Sequence, residues 1–271
     1  MYNSSFKRMA QVFVGITGFN PLALLGSVRG AAFYVRDWMC IRRQKARDGS
    51  AAFPIKACFP ILGDRFTAAG TMRGHYFYQD LHVAGKIFAA RPVRHVDIGS
   101  RTDGFVAHVA VFREIEVFDI RDVTSHVPNI RFKKADLMQL PEGLEGYCDS
   151  VSALHSIEHF GLGRYGDPVD YNGHVKAIRN ITRMLLPGGR FYFSVPVGKQ
   201  RIEFNAHRVF SLAYLWELLG DDYELLSFSY VDDAGDFHAD CPFSEQAIAD
   251  NFGCWYGCGI FELRKKRTAN C

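Results

Sequence analysis

The chain has 271 residues, 48% hydrophobic and 23% charged, which allows one large core plus an appended segment and fits a globular protein of ordinary composition. Its net charge of +3 is too small to argue for a nucleic-acid partner. The seven cysteines (Cys40, Cys58, Cys148, Cys241, Cys254, Cys258 and Cys271) are odd in number and form no C-x-x-C pair, so a reducing compartment, the cytoplasm, is expected rather than a disulfide framework.

Basic residues crowd the N-terminal part: Lys7, Arg8, Arg29, Arg36, Arg42, Arg43, Lys45 and Arg47. Residues 9–28 are uncharged and superficially resemble a signal peptide, but Gly15, Gly18 and Asn20-Pro21 make them a poor spanning helix. Asn20-Pro21 suits a helix start instead, as cap and first-turn residue. From there Leu22, Leu25, Val28, Ala32, Val35 and Met39 recur at helical spacing, with Arg29, Arg36 and Arg43 elsewhere on the wheel. Such a basic helix can lie peripherally on the inner face of an anionic membrane; packing on its own domain or on a partner subunit is the competing reading. Pro54, Pro60, Gly63 and Gly70 punctuate an irregular connection over 49–70. Residues 1–70 therefore read as a basic helical extension with linker, and 71–271 as the main domain.

Residues 74–88 predict a helix leading into the first strand, with Leu81, Ala84, Ile87 and Phe88 on one face. His75, Tyr76, Tyr78, Gln79 and Asp80 at its start can cover a ligand or simply lie on the surface. Strands are predicted over 93–98, 115–120, 130–133, 150–154, 190–195, 223–230 and 257–263. Helices are predicted over 104–112, 174–186 (stopped by Pro187-Gly188-Gly189) and 211–219. This order implies an α/β fold: a Rossmann-like, doubly wound, mostly parallel seven-stranded sheet with an antiparallel C-terminal hairpin, plus the N-terminal helical extension.

Residues 93–123 organise the rest. A strand carries Asp97 near its end, a turn with Gly99 and Gly104 follows, then a helix, and a second strand closes on Asp119, twenty residues after Gly99. That is half of a nucleotide-binding βαβ unit, with an acid placed to grip a ribose. A dinucleotide turn needs glycine where Arg101 stands, so that the backbone can approach a pyrophosphate, and a nicotinamide cofactor is disfavoured. S-adenosylmethionine has no phosphates and needs less glycine.

On these and later motifs the chain resembles the class I S-adenosylmethionine-dependent methyltransferases, from about Gly74 to the C-terminus. V-D-I-G-S is similar to the family's D-x-G-x-G with the second glycine missing. Asp119 matches the acid that holds the ribose diol, and Asp136-Leu137 the pair beside the adenine. C-D-S-V-S-A-L-H-S-I-E-H-F resembles the fourth-strand motif, with His159 ten residues after Asp149, and M-L-L-P-G-G-R-F-Y-F-S-V-P the following helix, turn and strand. G-H-Y-F-Y-Q-D-L, L-H-S-I-E-H-F-G-L-G-R-Y-G-D, F-N-A-H-R-V-F and the basic N-terminal helix look like an uncharacterised branch of that superfamily, one associated with surface-polysaccharide gene clusters. The resemblance implies S-adenosylmethionine as cofactor.

The residues themselves suggest how it would be held. Gly99 permits a tight turn and a close ligand, and amides at the following helix start can receive the methionyl carboxylate. Asp97 is placed to accept from the ligand's ammonium. Arg101 can bond the carboxylate or pair locally with Asp103. Ser100, Ile120 and His155 complete the expected cofactor contacts.

His155, Glu158 and His159 spell H-x-x-E-H, the order of an inverted zinc-peptidase motif, but here it follows a core strand, and a peptidase is disfavoured. The resemblance implies that His155 stands where ubiquinone-pathway O-methyltransferases carry an acid near their metal, so a divalent metal is a minor expectation. No metal ligands are assigned, and Cys254 and Cys258 read as buried thiols in preference to a shared metal site. Methyl transfer to a hydroxyl needs a base, for which a nearly neutral imidazole is suited. His159 and His155 lead, with Glu158 beside them and His207 in the loop after the fifth strand. Arg164, Tyr165, Asp167 and Asp170 form a polar loop that binds sugar hydroxyls or is only a solvated turn. The expected function is methylation of a hydroxyl on a small-molecule or glycan acceptor, with a histidine base. The rival is a non-catalytic protein of this fold docking at a membrane or polysaccharide-synthesis complex. The oligomeric state is not legible.

Overall fold

The computed structural model describes residues 21–49 and 52–267. Lys7, Arg8, the charge-free stretch as far as the expected cap Asn20, and Cys271 lie outside the described residues, as do the side chains of Leu22 and Leu25. The chain divides into two units, Met1–Thr71 and Met72–Cys271.

In the first unit, helix α1 (Pro21–Asp48) is followed by an irregular stretch with one 3-10 turn, Asp64–Phe66. Phe33 meets Phe66 edge-on at 5.9 Å, and Gly30 between the helix and Leu62 is buried. The packed face thus runs through Gly30 and Phe33, whereas Val28, Ala32, Val35 and Met39, the apolar stripe expected from spacing, stay exposed. Among the described residues, no helix is long and apolar enough to cross a membrane.

The second unit is built on a sheet fed by α2 (His75–Ala90). Its strands are β1 (His95–Ile98), β2 (Ile115–Asp119), β3 (Ile130–Lys134), β4 (Cys148–Leu154), β5 (Leu185–Val197), β8 (Tyr223–Val231), β9 (Phe237–His238) and β10 (Gly257–Lys265), in the order β3-β2-β1-β4-β5-β10-β8-β9. The first five strands are parallel, and β10 runs antiparallel to both β5 and β8. The sheet therefore has eight strands rather than the expected seven; the extra one, β9, pairs only Phe237 and His238 with β8 and is too short to show an apolar alternation. A separate hairpin, β6 (Arg201–Glu203) with β7 (His207–Val209), occupies what reads in sequence as a loop.

Val96, Ile98, Ile115 and Val117 are all buried, as strands covered on both faces require. One apolar layer joins the sheet to α2 through Val83, Ala84 and Ile87 and to the turn after β1 through Phe105 and Val106. The other joins it to α4 (Gly173–Met184) through Ala177, Ile178 and Ile181 and to α5 (Leu212–Leu219) through Leu212 and Leu215. Between β1 and β2 the expected 104–112 helix is instead a π-type turn, Thr102–Val106, running into the short α3 (Ala107–Ala110). Pro187-Gly188-Gly189 does not stop a helix: α4 already ends at Met184, and β5 starts at Leu185, which pairs with Cys148.

Candidate functional site

β1 pairs with β2 on one side and β4 on the other, so the strand order reverses beside β1. Loops leaving the carboxyl ends of such strands diverge and leave a crevice. Here it is a cleft of about 650 Å³, lined by Gly99, Ser100 and Arg101 after β1, Asp119, Ile120 and Arg121 at the end of β2, Asp136 and Leu137 after β3, and His155, Ser156, Glu158 and His159 after β4. His75, Tyr76, Arg164, Tyr165, His207 and Tyr256 close it from other segments.

Gly99 sits at φ 65°, donates its amide to Phe118 O at 2.9 Å, and lies so near Ser156 that an added Cβ would be 3.3 Å from that side chain. Asp97 does not reach the cleft. It is fully buried and accepts from the Ser100 amide (3.0 Å), Ser100 Oγ (2.6 Å) and Ser152 Oγ (2.6 Å). Burial raises its pKa to about 6 against the pull of those donors. Asp97, expected to meet the ligand's ammonium, instead pins the turn in this structure. Ser100 shares that role, because its Oγ also accepts the Leu154 amide at 3.0 Å.

Arg101 pairs locally: Nε and Nη2 reach the two oxygens of Asp103 at 3.1 and 2.9 Å, and the guanidinium lies 5.0 Å from the Tyr76 ring. Asp119 is held by Arg121, which lies two residues on and which no sequence motif singles out. The guanidinium contacts both carboxylate oxygens at 3.0 and 2.7 Å and stacks over Tyr165 at 4.4 Å. Asp136 caps its own turn, accepting the Met138 amide at 2.9 Å, and Leu137 is buried beneath it.

The histidines come together at one end. His155, buried, adopts φ 49°, a conformation costly for a side-chain-bearing residue. Its Nδ1 bonds Glu158 Oε1 at 2.8 Å, and its ring lies 5.2 Å from His75 and 5.0 Å from Tyr76. Burial opposes charge on His155, but Cys258 and Glu158 outweigh it and raise its pKa; burial likewise works against ionised Glu158, yet His155 draws its pKa down. His75 is pushed the other way by burial, to about 3. His159 Nδ1 donates to Ala206 O at 2.7 Å, which leaves Nε2, 3.8 Å from Glu158 Oε1, without its proton; burial lowers the pKa of this ring. Burial also lowers that of His207, whose ring lies 6.5 Å from His159. His155 Nε2, Ser156 Oγ, Glu158 Oε2 and His207 Nε2 are buried without a hydrogen-bond partner, and all four residues line the cleft. Buried polar atoms normally find partners, so this concentration marks where a ligand's polar groups would go.

The polar loop divides. Arg164, Tyr165 and Asp167 line the cleft; Asp167 also accepts the amides of Gly161, Gly163 and Tyr165, and Asp170, outside the lining, pairs with Lys176 and the Asn172 amide. Those two acids shape the loop. Arg208, adjacent to His207 and missed in sequence, is buried and donates to the Phe160 and Tyr171 carbonyls at 2.6 and 3.1 Å, tying the hairpin to the loop after β4. Of the cluster at the start of α2, His75 and Tyr76 face the cleft, Gln79 and Asp80 are buried, and Tyr78 stacks on Phe237.

A family model described as a Caenorhabditis protein of unknown function, DUF268, matches residues 113–238. No curated protein matches the chain. Among solved structures, the [4+2]-cyclase SpnF aligns with a TM-score of 0.50 at 18% identity, over 74% of this chain and 86% of its own. A candidate methyltransferase from Haloferax volcanii, in complex with the Trm112 methyltransferase activator, aligns at 0.50 and 14% identity over 73% and 92%. A candidate sarcosine dimethylglycine methyltransferase from Galdieria sulphuraria aligns at 0.50 and 14% identity over 70% and 86%. The chain has the Rossmann-like fold of the class I S-adenosylmethionine-dependent methyltransferases. One of the three is a cyclase, so the reaction must be argued from the site.

Proposed function

We propose that the cleft binds S-adenosylmethionine and that the protein transfers its methyl group to a hydroxyl of a small-molecule or glycan acceptor. The carrying observation is that the Gly99 turn, Asp119 and Asp136, leaving three successive parallel strands, line one cleft at the strand-order reversal. The turn would take the methionyl end, Asp119 the ribose hydroxyls once Arg121 yields an oxygen, and Asp136 with Leu137 the adenine. His159 is the base this reading favours. Its Nδ1–H is spent on Ala206 O, its Nε2 lone pair is open, and Glu158 lies close enough to stabilise the imidazolium formed as the hydroxyl proton leaves. His155 suits this less well, because its raised pKa keeps it protonated. The glycan acceptor rests on the sequence resemblance and on Arg164 and Tyr165 at the cleft wall.

The test is His159→Gln, assayed for S-adenosylhomocysteine binding and for methyl transfer from labelled S-adenosylmethionine to a panel of monosaccharides and nucleotide sugars. Binding is expected to persist while transfer falls about 10²–10⁴-fold. Because burial lowers the His159 pKa, wild-type transfer is expected to hold steady through neutral pH and to fall only below the ordinary imidazole range. Undiminished transfer by His159→Gln would remove the histidine from the mechanism.

A further inference from the structure

We propose that His75, His155 and Cys258 form a binding site for a divalent cation of the zinc class. The three come from separate elements: the first residue of α2, the loop after β4, and the second residue of β10. One donor atom of each lies within 4.8 Å of the others. Independently of that spacing, His155 Nε2 is buried and has no hydrogen-bond partner. His155 Nδ1 is bonded to the Glu158 carboxylate at 2.8 Å, the arrangement by which a carboxylate orients a metal-bound imidazole. The His155 backbone sits at φ 49°, and its ring centroid lies 5.2 Å from that of His75.

Thiolate and imidazole donors select zinc-class cations, whereas magnesium and calcium take oxygen ligands. Zinc bonds of about 2.0–2.3 Å would draw the rings and sulfur together by roughly an ångström. Binding breaks the Cys258 S–H bond and any N–H bond at the ligating imidazole atoms; the protons go to solvent and the freed electron pairs form the bonds to the cation. Three protein ligands leave a fourth position, and His75 and His155 line the cleft, which opens that position to a molecule bound there. Under the methyl-transfer reading a hydroxyl placed there would lose its proton more readily, but cation binding itself does not depend on that reading.

The experiment is titration of the chelator-treated full chain with Co2+, followed by near-ultraviolet absorption, and displacement by Zn2+. One equivalent of Co2+ is expected to give a thiolate-to-cobalt charge-transfer band that Zn2+ abolishes. Cys258→Ser should lose the band, His155→Gln and His75→Gln should weaken binding at least tenfold, and Cys241→Ser should retain both. Thermal melts without metal identify which variants remain folded; if Cys258→Ser does not, the two histidine variants carry the test. Absence of the band in wild type, its survival in folded Cys258→Ser, or wild-type affinity in both histidine variants would overturn the site. None of these readouts uses S-adenosylmethionine, so failure here and failure of the methyl-transfer reading are separately visible.

Discussion

His95, in β1, is held in the folded protein as a neutral imidazole: burial, reinforced by the charge of Arg113, pushes its pKa down to about 3. Its ring nitrogens lie 2.7 Å from Ser150 Oγ and 3.2 Å from Ser152 Oγ, and Ser152 passes the network on to Asp97. The unfolded chain takes up a proton here near pH 6.5, the folded chain only near 3, so the stabilisation from the neutral ring is complete above the unfolded value and is lost as pH falls between the two. A single group displaced in this way gives a slope of roughly 1.4 kcal/mol per pH unit. Denaturant unfolding from pH 6 to pH 4 should therefore show a steeper loss of stability in wild type than in His95→Gln; equal slopes would mean that His95 is not held neutral. At this scale the sequence is informative where chemistry is local. Gly99, Asp119 and Asp136 are legible because a turn and two strand ends need them at that spacing. The burial of Asp97 is not legible, because Ser152, one of the residues that bond it, is fifty-five positions away.

The loop after β4 shows how a polar segment can serve the fold and the site together. Asp167 accepts three loop amides, which presents Arg164 and Tyr165 to the cleft. Gly161 and Gly166 both have positive φ, 75° and 83°, but only Gly161 is crowded: a Cβ there would lie 2.0 Å from the Asp170 carbonyl oxygen, and nothing lies within 4 Å at Gly166. Gly166→Ala should cost about 1–2 kcal/mol for the left-handed conformation alone. Gly161→Ala adds displacement of backbone and should cost about 1–3 kcal/mol more. Matching unfolding midpoints for the two variants would contradict this account of the loop. The composition L-G-R-Y-G-D marks a turn with candidate ligand groups, but it does not show that Asp167 both locks the loop and lines the cleft while Asp170 stays outside it.

At the scale of the whole molecule, the alternation of strands and helices makes the doubly wound sheet legible, because parallel strands need covering helices and long crossovers. What escapes is set by distant pairing. Leu185 joins β5 by pairing with Cys148, which overrides the stop signal of Pro187-Gly188-Gly189, and β9 exists only because β8 offers an edge. Tyr256, just before the last strand, and Cys258, in it, reach the histidines, a meeting that no local pattern announces. The nucleoside end of the cleft can be probed by calorimetric titration of the full chain with S-adenosylhomocysteine. One molecule per chain should bind, and Asp119→Ala should weaken it roughly ten- to a hundredfold, the loss of a charge-assisted hydrogen bond of about 1.5–3 kcal/mol. No binding by wild type up to millimolar ligand, or equal affinity in the two proteins, would contradict the account.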